Sequence, residues 1–309
     1  MLDVLTFYLN KIRNLRTAQV EGEPTLHKPL LLLAVIDLIE QGAILENKIE
    51  PSPKLVETFI KYWNVFSLKK PRIYLPFYYL KSEKFWHLHG RFGQEKIYPV
   101  KSMSQLASIV AYASLDEDLF LLLLKPETRE VIRQTIIETY FADKAETVHG
   151  LINENQQINA LENLLIQTAE QKTDIDKIVS DTPKRDKAFR GVIMRLYDYT
   201  CAACHLRVIT INGETAVEAE HIIPFSISHD DNVGDGISLC KLHHWAFEIG
   251  LISINDKFQI VVSKSFEESG GEAFLLRRLQ TQPILLPKQK PFFPSLMTIR
   301  WHRENRFQN

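Results

Sequence analysis

Residues 201–248 read CAACHLRVITINGETAVEAEHIIPFSISHDDNVGDGISLCKLHHWAFE, and they hold all three cysteines of the 309-residue chain. Two short knuckles frame this segment, Cys201-x-x-Cys204 near its start and Cys240-x-x-His243 near its end. A tight knuckle directs two side chains toward one point, so two knuckles supply the four ligands of a tetrahedral zinc site. We therefore predict a structural zinc ion at these four residues.

Two other interpretations of the cysteines stay open at this point. A buried pair of free cysteines with an unrelated third one would need no metal. A redox CxxC would need a strand-to-helix context, which the surrounding sequence does not show. An odd number of cysteines also makes a poor disulfide framework. Zinc is preferred because the second knuckle completes the ligand count, and four protein ligands leave no open position for catalysis.

The same segment contains a candidate centre for phosphodiester hydrolysis. That reaction needs a base to deprotonate water and a divalent cation to stabilise the developing charge. His221 is the predicted base, because histidine is the side chain that exchanges protons most readily near neutral pH. Glu220, Asp235 and His244 are the predicted ligands of Mg²⁺ or Mn²⁺. The alternative is that these are ordinary polar residues beside a zinc knuckle.

Residues from about 185 to 262 resemble an HNH endonuclease of the zinc-containing ββα-metal type. The shared features are the CxxC, the Glu-His-Ile-x-Pro strand, the Gly-Ile-Ser-Leu-Cys run and the Leu-His-His-x-x-Phe-Glu helix. The resemblance implies that His221 is the general base, that Asp235 orients the loop or binds metal, and that His244 serves the metal. The family usually has Asn at the position of Asp235, and aspartate holds a cation but cannot donate a hydrogen bond.

A basic stretch leads into this module. Its members are Lys184, Arg185, Lys187, Arg190 and Arg195, and a single acid, Asp186, lies among them. We predict that these side chains position DNA phosphates, which is a sequence-independent and salt-sensitive form of binding. A solvated basic helix face is the alternative.

The first half of the chain contains a second candidate site. Residues 26–33 read LHKPLLLL, which places His27 and Lys28 at the start of an apolar helix, where anions are favoured. Residues 73–88 read IYLPFYYLKSEKFWHL, and this aromatic, partly alternating pattern predicts short strands or an edge strand with a loop. In the alternative interpretation, His27 and Lys28 are ordinary polar residues of an N-terminal helix turn and have no role in binding.

Residues 1–143 resemble the sulfur-binding domain of modification-dependent HNH restriction endonucleases. The resemblance rests on the HKPLLLL helix opening, the Leu-Pro-Phe segment with Trp-x-Leu after it, and the closing Ile-x-x-x-Tyr-Phe. It implies recognition of phosphorothioate DNA in an apolar cup around Pro76, with Tyr74 and Tyr78 nearby and with His27 and Lys28 on adjacent phosphates. Where such cups often carry Tyr-Pro, this chain has Leu-Pro. The aromatic residues that follow, Phe77, Phe85 and Trp86, are expected in the core.

Composition and patterning predict an α+β protein of two domains. Residues 1–143 form the mainly helical DNA-reading domain with a small sheet, 144–183 a helical linker and 184–309 the HNH domain. Helices are expected at 1–16, 29–41, 119–124 and 131–141, and a β-hairpin around 255–256. The net charge of −1 gives no support to indiscriminate polyanion binding, so any surface that binds nucleic acid must be local. Without a signal peptide or a long apolar run, we expect a cytoplasmic protein that does not enter membranes.

Together, the two resemblances imply a bacterial restriction enzyme of phage defence that cleaves double-stranded, phosphorothioate-modified DNA. Double-strand cleavage needs two active sites, so a homodimer is expected, with the helix of residues 151–180 as the interface. Three alternatives stay open. They are an HNH enzyme for unmodified or otherwise modified DNA, a non-catalytic DNA reader, and a structural zinc protein without a role in nucleic-acid binding.

Overall fold

A computed structural model describes residues 2–17, 19–20, 23–66, 71–91, 97–171, 182–210, 213–272 and 275–308. The chain divides into two compact units, Met1–Gln156 with Ile211–Glu214, and Gln157–Thr210 with Thr215–Asn309. Within the described ranges, no helix combines the length and the apolar character that crossing a membrane requires.

The first unit is mainly helical, as expected, with small antiparallel strand pairs. Its strands are β1 (Gln19–Val20) with β2 (Glu23–Pro24), and β3 (Trp86–Gly90) with β4 (Val110–Leu115). Its helices are α1 (Leu2–Arg13), α2 (His27–Glu40), α3 (Pro53–Phe66), α4 (Tyr74–Tyr79), α5 (Met103–Ile109), α6 (Glu117–Leu124), α7 (Pro126–Tyr140) and the first part of α8 (Ala145–Gln171).

The central helix of this unit is α2. Every residue from Lys28 to Ile39 is buried, because the helix is apolar on almost all sides and packs against its neighbours all round. It begins two residues before the predicted start at Pro29, and Gly42 follows its end with a φ of +68°. Glycine adopts this left-handed conformation without steric cost, which fits the predicted helix stop.

The prediction of strands across residues 73–88 is wrong for the first part of that segment. Tyr74–Tyr79 forms α4, and a 3-10 turn at Leu80–Glu83 precedes β3. Pro76 is tolerated because it lies in the first helical turn, where a backbone N–H has no partner within the helix. The expectation that the aromatic residues are core is confirmed, since Phe77, Phe85 and Trp86 are at most 1% exposed.

A buried polar cluster joins α8 to the first unit. Tyr62 donates a hydrogen bond to Asp37 Oδ2 at 2.6 Å, and Asn155 on α8 donates to the same oxygen at 2.9 Å. The guanidinium of Arg133 lies 3.7 Å from Asp37 Oδ1. Burial raises the pKa of Asp37 to about 6. This cluster satisfies one oxygen of the buried carboxyl group, while Oδ1 has the charge of Arg133 nearby but no hydrogen bond among the described residues.

The second unit contains two β-hairpins. Its helices are α9 (Thr182–Leu196), α10 (Phe225–Ser228), α11 (Lys241–Glu248) and α12 (Leu296–Asn305), and its strands are β5 (Val217–His221), β6 (Gly236–Cys240), β7 (Ile252–Ile254) and β8 (Ile260–Val262). The antiparallel pair β5 and β6 is followed at once by α11, which is a ββα arrangement. The predicted hairpin around residues 255–256 is confirmed by the pairing of β7 with β8.

Helix α9 packs closely on the β5–β6 pair. A Cβ atom at Gly236 would lie 2.2 Å from Ile193 Cδ1 and 2.9 Å from Phe189, so only glycine allows this approach. The predicted linker helix corresponds to α8 up to Gln171. The part of the predicted linker from residue 172 to 181 lies outside the described residues, and the linker boundaries stay a prediction.

Candidate active site and metal centre

The ligand atoms of the two knuckles converge. One donor atom each from Cys201, Cys204, Cys240 and His243 lies within 4.8 Å of the other three. His243 Nδ1 is 3.1 Å from Cys240 Sγ and 3.5 Å from Cys201 Sγ. Sulfur ligands of a tetrahedral zinc ion are about 3.8 Å apart, as follows from Zn–S bonds of ~2.3 Å. The donor set and its spacing therefore fit zinc.

Backbone pairing holds this cluster against the hairpin. Ala202 N–H donates to Ser238 O of β6 at 2.7 Å, and Ala202 O accepts from Leu285 N–H at 2.8 Å. Hydrogen bonds among the three cysteines lower the pKa of Cys240 and raise the pKa of Cys201, so these side chains share their protons as one group. The two knuckles thus lie together because backbone hydrogen bonds connect the Cys201–Cys204 knuckle to β6, and β6 leads into the Cys240–His243 knuckle at the start of α11.

A second group of polar side chains lies between β5 and α11. Glu218 and Glu220 project from the same face of β5, since side chains alternate along a strand. Glu220 Oε2 contacts His244 Nε2, and Glu218 Oε2 lies 3.1 Å from His244 Nδ1. Burial raises the pKa of Glu220. Sequence reasoning predicted Glu220 and His244 but missed Glu218, whose only signal was its spacing of two from Glu220.

His221 ends β5 and is held on two sides. Its Nε2 lies 2.9 Å from Asp231 Oδ1, and its ring stacks on Phe189 of α9 with centroids 3.8 Å apart and planes 6° apart. Asp231 Oδ2 in turn lies 2.5 Å from Arg185 Nε. Sequence reasoning missed Asp231, because a loop residue ten positions beyond His221 has no periodic signal that connects the two.

Asp235 lies at the same end of the hairpin as His221 and is 2% exposed. Its Oδ1 accepts a hydrogen bond from Ile223 N–H at 2.9 Å, and its Oδ2 has no hydrogen-bond partner among the described residues. Burial raises the pKa of Asp235 to about 8. Of the described residues, only the two knuckles form a cluster of three or more metal-binding groups this close together. The structure therefore joins Glu220 to His244 and ties Asp235 to the loop after β5, and cation binding by Asp235 stays a prediction.

The predicted phosphate-binding residues differ in what they contact. Arg195 makes a two-point ion pair with Glu162 of α8, at 3.0 and 2.9 Å, and Arg185 is paired with Asp231. Arg190 is exposed, and Lys184 is half-buried. Arg185 and Arg195 therefore already have carboxylate partners within the protein.

In the first unit, His27 opens α2 as predicted, and its ring lies 4.5 Å from that of Trp63. Burial lowers the pKa of His27. Lys28 is buried, with its Nζ in contact with the Glu83 carboxylate and 2.7 Å from Arg16 O. The predicted phosphate contact of Lys28 does not fit this position, because it would have to break a buried ion pair.

The residues of the predicted cup around Pro76 are less accessible than predicted. Pro76 and Tyr78 are buried, and the hydroxyl of Tyr78 donates to Ile97 O at 3.1 Å. Tyr74 is half-buried. Of these three side chains, Tyr74 therefore has the most surface available to a ligand.

Comparison with protein families identifies both domains. Residues 6–153 match the model of the ScoMcrA-like DNA sulfur-binding domain, and residues 201–255 match the model of the HNH endonuclease. The chain thus combines a DNA sulfur-binding domain with an HNH endonuclease domain, which confirms both resemblances stated from the sequence.

Solved structures with local similarity were also found. The modification-dependent TagI restriction endonuclease is 19% identical, with 39% of this chain and 38% of that chain covered and a TM-score of 0.31. The sulfur-binding domains of SprMcrA and ScoMcrA, each complexed with phosphorothioated DNA, are 20% identical with TM-scores of 0.37. They cover 44% of this chain, and 85% and 89% of those chains. The chain thus spans 38% of the length of TagI. The comparison with curated proteins gave no match.

Proposed function

We propose that this chain is a modification-dependent restriction endonuclease, which binds DNA through its first domain and hydrolyses phosphodiester bonds with its second. The observation that supports this most strongly is the arrangement around β5. Glu220 contacts His244 on one side of the strand, and His221 ends the same strand, all within the segment that matches the HNH endonuclease model. A base and a pair of cation ligands are the groups that hydrolysis of this bond needs.

In the proposed reaction His221 accepts a proton from the attacking water. Glu220 and His244 would hold the divalent cation, Mg²⁺ or Mn²⁺, which would stabilise the negative charge that develops on the phosphate and on the departing 3′ oxygen. Glu218 steadies His244 from its other nitrogen, as carboxylates do beside metal-bound imidazoles. Asp235 keeps the loop after β5 in place. The products would be a 5′-phosphate and a 3′-hydroxyl.

The four knuckle residues are proposed to bind a structural zinc ion. Their soft donor atoms and close spacing support this assignment. Because His244 follows His243 directly, the zinc site would also fix the position of the cation ligand on α11.

The proposed substrate is double-stranded DNA with phosphorothioate links. Support comes from the match to a DNA sulfur-binding domain, and from the two similar domains solved with phosphorothioated DNA. His27 at the start of α2 and Tyr74 on α4 are the proposed contacts of the first domain, and Arg190 is one of the second. Cleavage of both strands needs two active sites, so we also propose a homodimer.

A comparison of matched DNA duplexes tests this function. The zinc-loaded chain should bind a duplex with phosphorothioate links more tightly than the same unmodified duplex in a gel-shift assay, and it should cleave the modified one with Mg²⁺ or Mn²⁺. His221→Ala should abolish cleavage while leaving zinc content and DNA binding unchanged. Full cleavage by this variant would overturn the catalytic assignment. Retardation of DNA without any nicking by the wild type would indicate a non-catalytic reader instead.

A further inference from the structure

Asp231 is a buried carboxylate that the two domain assignments leave without a role. It is 5% exposed, and its two oxygens face different partners, His221 Nε2 at 2.9 Å and Arg185 Nε at 2.5 Å. A buried carboxylate is costly unless it is paired, and the guanidinium supplies that pairing. A carboxylate held in this way accepts hydrogen bonds and donates none, so the hydrogen of the contact with His221 must lie on Nε2.

We propose that Asp231 is the positioning residue of His221: it keeps the proton on Nε2 and thereby presents Nδ1 as the nitrogen that accepts the proton of the attacking water. This inference rests on the proposed function, in which His221 is the base. Among the described residues, no hydrogen bond to Nδ1 is present, and the His221 side chain is 19% exposed. Nδ1 is therefore the nitrogen that remains for the reaction.

Two further contacts restrict the imidazole to this orientation. The ring of Phe189 lies parallel to it at 3.8 Å, which limits rotation out of the plane. Arg185, whose guanidinium also packs 4.0 Å from the Phe225 ring, holds Asp231 from the opposite side. Arg185 therefore acts on the base through Asp231. Its predicted role on DNA phosphate is replaced by this one.

Steady-state kinetics on the full zinc-loaded chain test the role of Asp231. Asp231→Ala and Asp231→Asn should lower kcat on phosphorothioate duplex by about 100-fold, as loss of an orienting partner typically does, while KM and zinc content stay unchanged. Asp186→Ala, which removes an exposed acid beside Arg185, is the matched control and should keep full activity. An unchanged kcat in both Asp231 variants would overturn the proposal.

The protonated nitrogen can be observed without any cleavage. In ¹⁵N-histidine NMR spectra of the DNA-free protein, the signal that disappears in His221→Ala identifies His221. It should show the Nε2–H tautomer in the wild type and a shift toward Nδ1–H in Asp231→Ala. A wild-type Nδ1–H tautomer would overturn the proposal. Failure of the wild type to cut DNA would instead count against the proposed function, because the tautomer is measured independently of activity.

Discussion

Asp235 carries a carboxyl group into a buried position where one of its oxygens has no partner among the described residues. Its other oxygen holds Ile223 N–H, so the side chain connects the start of β6 to the chain that leaves β5. An amide would make the same contact without a charge. The aspartate at this position therefore places a titrating group where the fold needs only a hydrogen-bond acceptor.

Replacing this carboxyl gives a pH-dependent change in stability. The pKa of Asp235 is raised from 3.8 to about 8 on folding, so between these two pH values the folded state binds more protons than the unfolded state. Stability is therefore lost as the pH rises through this range. At pH 8, Asp235→Asn should have a free energy of unfolding about 1–3 kcal/mol higher than that of the wild type, as measured by urea denaturation. In magnesium-free buffer the difference should shrink toward pH 6. A difference that does not depend on pH would contradict this account.

Glu218 should tune the affinity of the catalytic cation. It lies 3.1 Å from His244 Nδ1 and so fixes the tautomer that leaves Nε2 for the metal. Glu218→Gln should weaken binding of Mn²⁺ to the zinc-loaded chain about 10-fold, as measured by titration calorimetry. Glu267→Gln, which alters an exposed acid in the loop after β8, is the control. Equal affinities in the two variants would argue against this role.

At the scale of elements, the zinc knuckles are expected to hold β6 and α11 to the loop after α9. Cys204 is the one exposed ligand of the four, so Cys204→Ser changes little packing while removing a soft donor. We expect this variant to lose its zinc in metal analysis and to unfold its second unit at lower temperature, because structural zinc contributes folding energy directly. His244→Ala should retain the zinc. Unchanged zinc content in Cys204→Ser would refute the assignment.

Helix α8 should contribute to the stability of the first unit through one side chain. Asn155 is 7% exposed and donates to the buried Asp37 carboxyl. Asn155→Ala should destabilise α2 and α3 by about 1–3 kcal/mol, because it leaves a buried acceptor with one partner fewer. Hydrogen exchange of peptides from α2 and α3 measures this. Thr147, an exposed residue of the same helix, changed to Ala, should leave their protection as in the wild type.

At the scale of the whole molecule, DNA binding and cleavage are expected to be separable. The net charge is −1, so attraction to DNA must come from local basic surface and from recognition of the modification. His221→Ala should bind phosphorothioate duplex as tightly as the wild type. In fluorescence anisotropy, log Kd should rise linearly with log salt concentration, with a slope of about 0.9 per phosphate contacted. Binding that is insensitive to salt would contradict a role for phosphate contacts.

The sequence alone predicted that the four knuckle residues cluster and that Glu220 and His221 lie on one strand, because knuckles and strand alternation fix side-chain directions within a few residues. It also predicted α1, α2, α6, α7 and α8, whose apolar periodicity is local, but it did not predict α3, α5 or α12. It misjudged residues 74–83, where the packing of buried aromatic residues decides between helix and strand.

Only the tertiary structure decided which charges are paired. The contacts of Asp231 with His221, of Arg185 with Asp231 and of Lys28 with Glu83 join separate elements or loops. Spacing along the chain carries no information about such pairs. They depend on how α9 and the loop after α10 pack on the β5–β6 hairpin, and on how the turn after α4 packs beside α2. Because of that packing, Arg185, which was predicted to bind DNA phosphate, is paired with the buried carboxylate of Asp231.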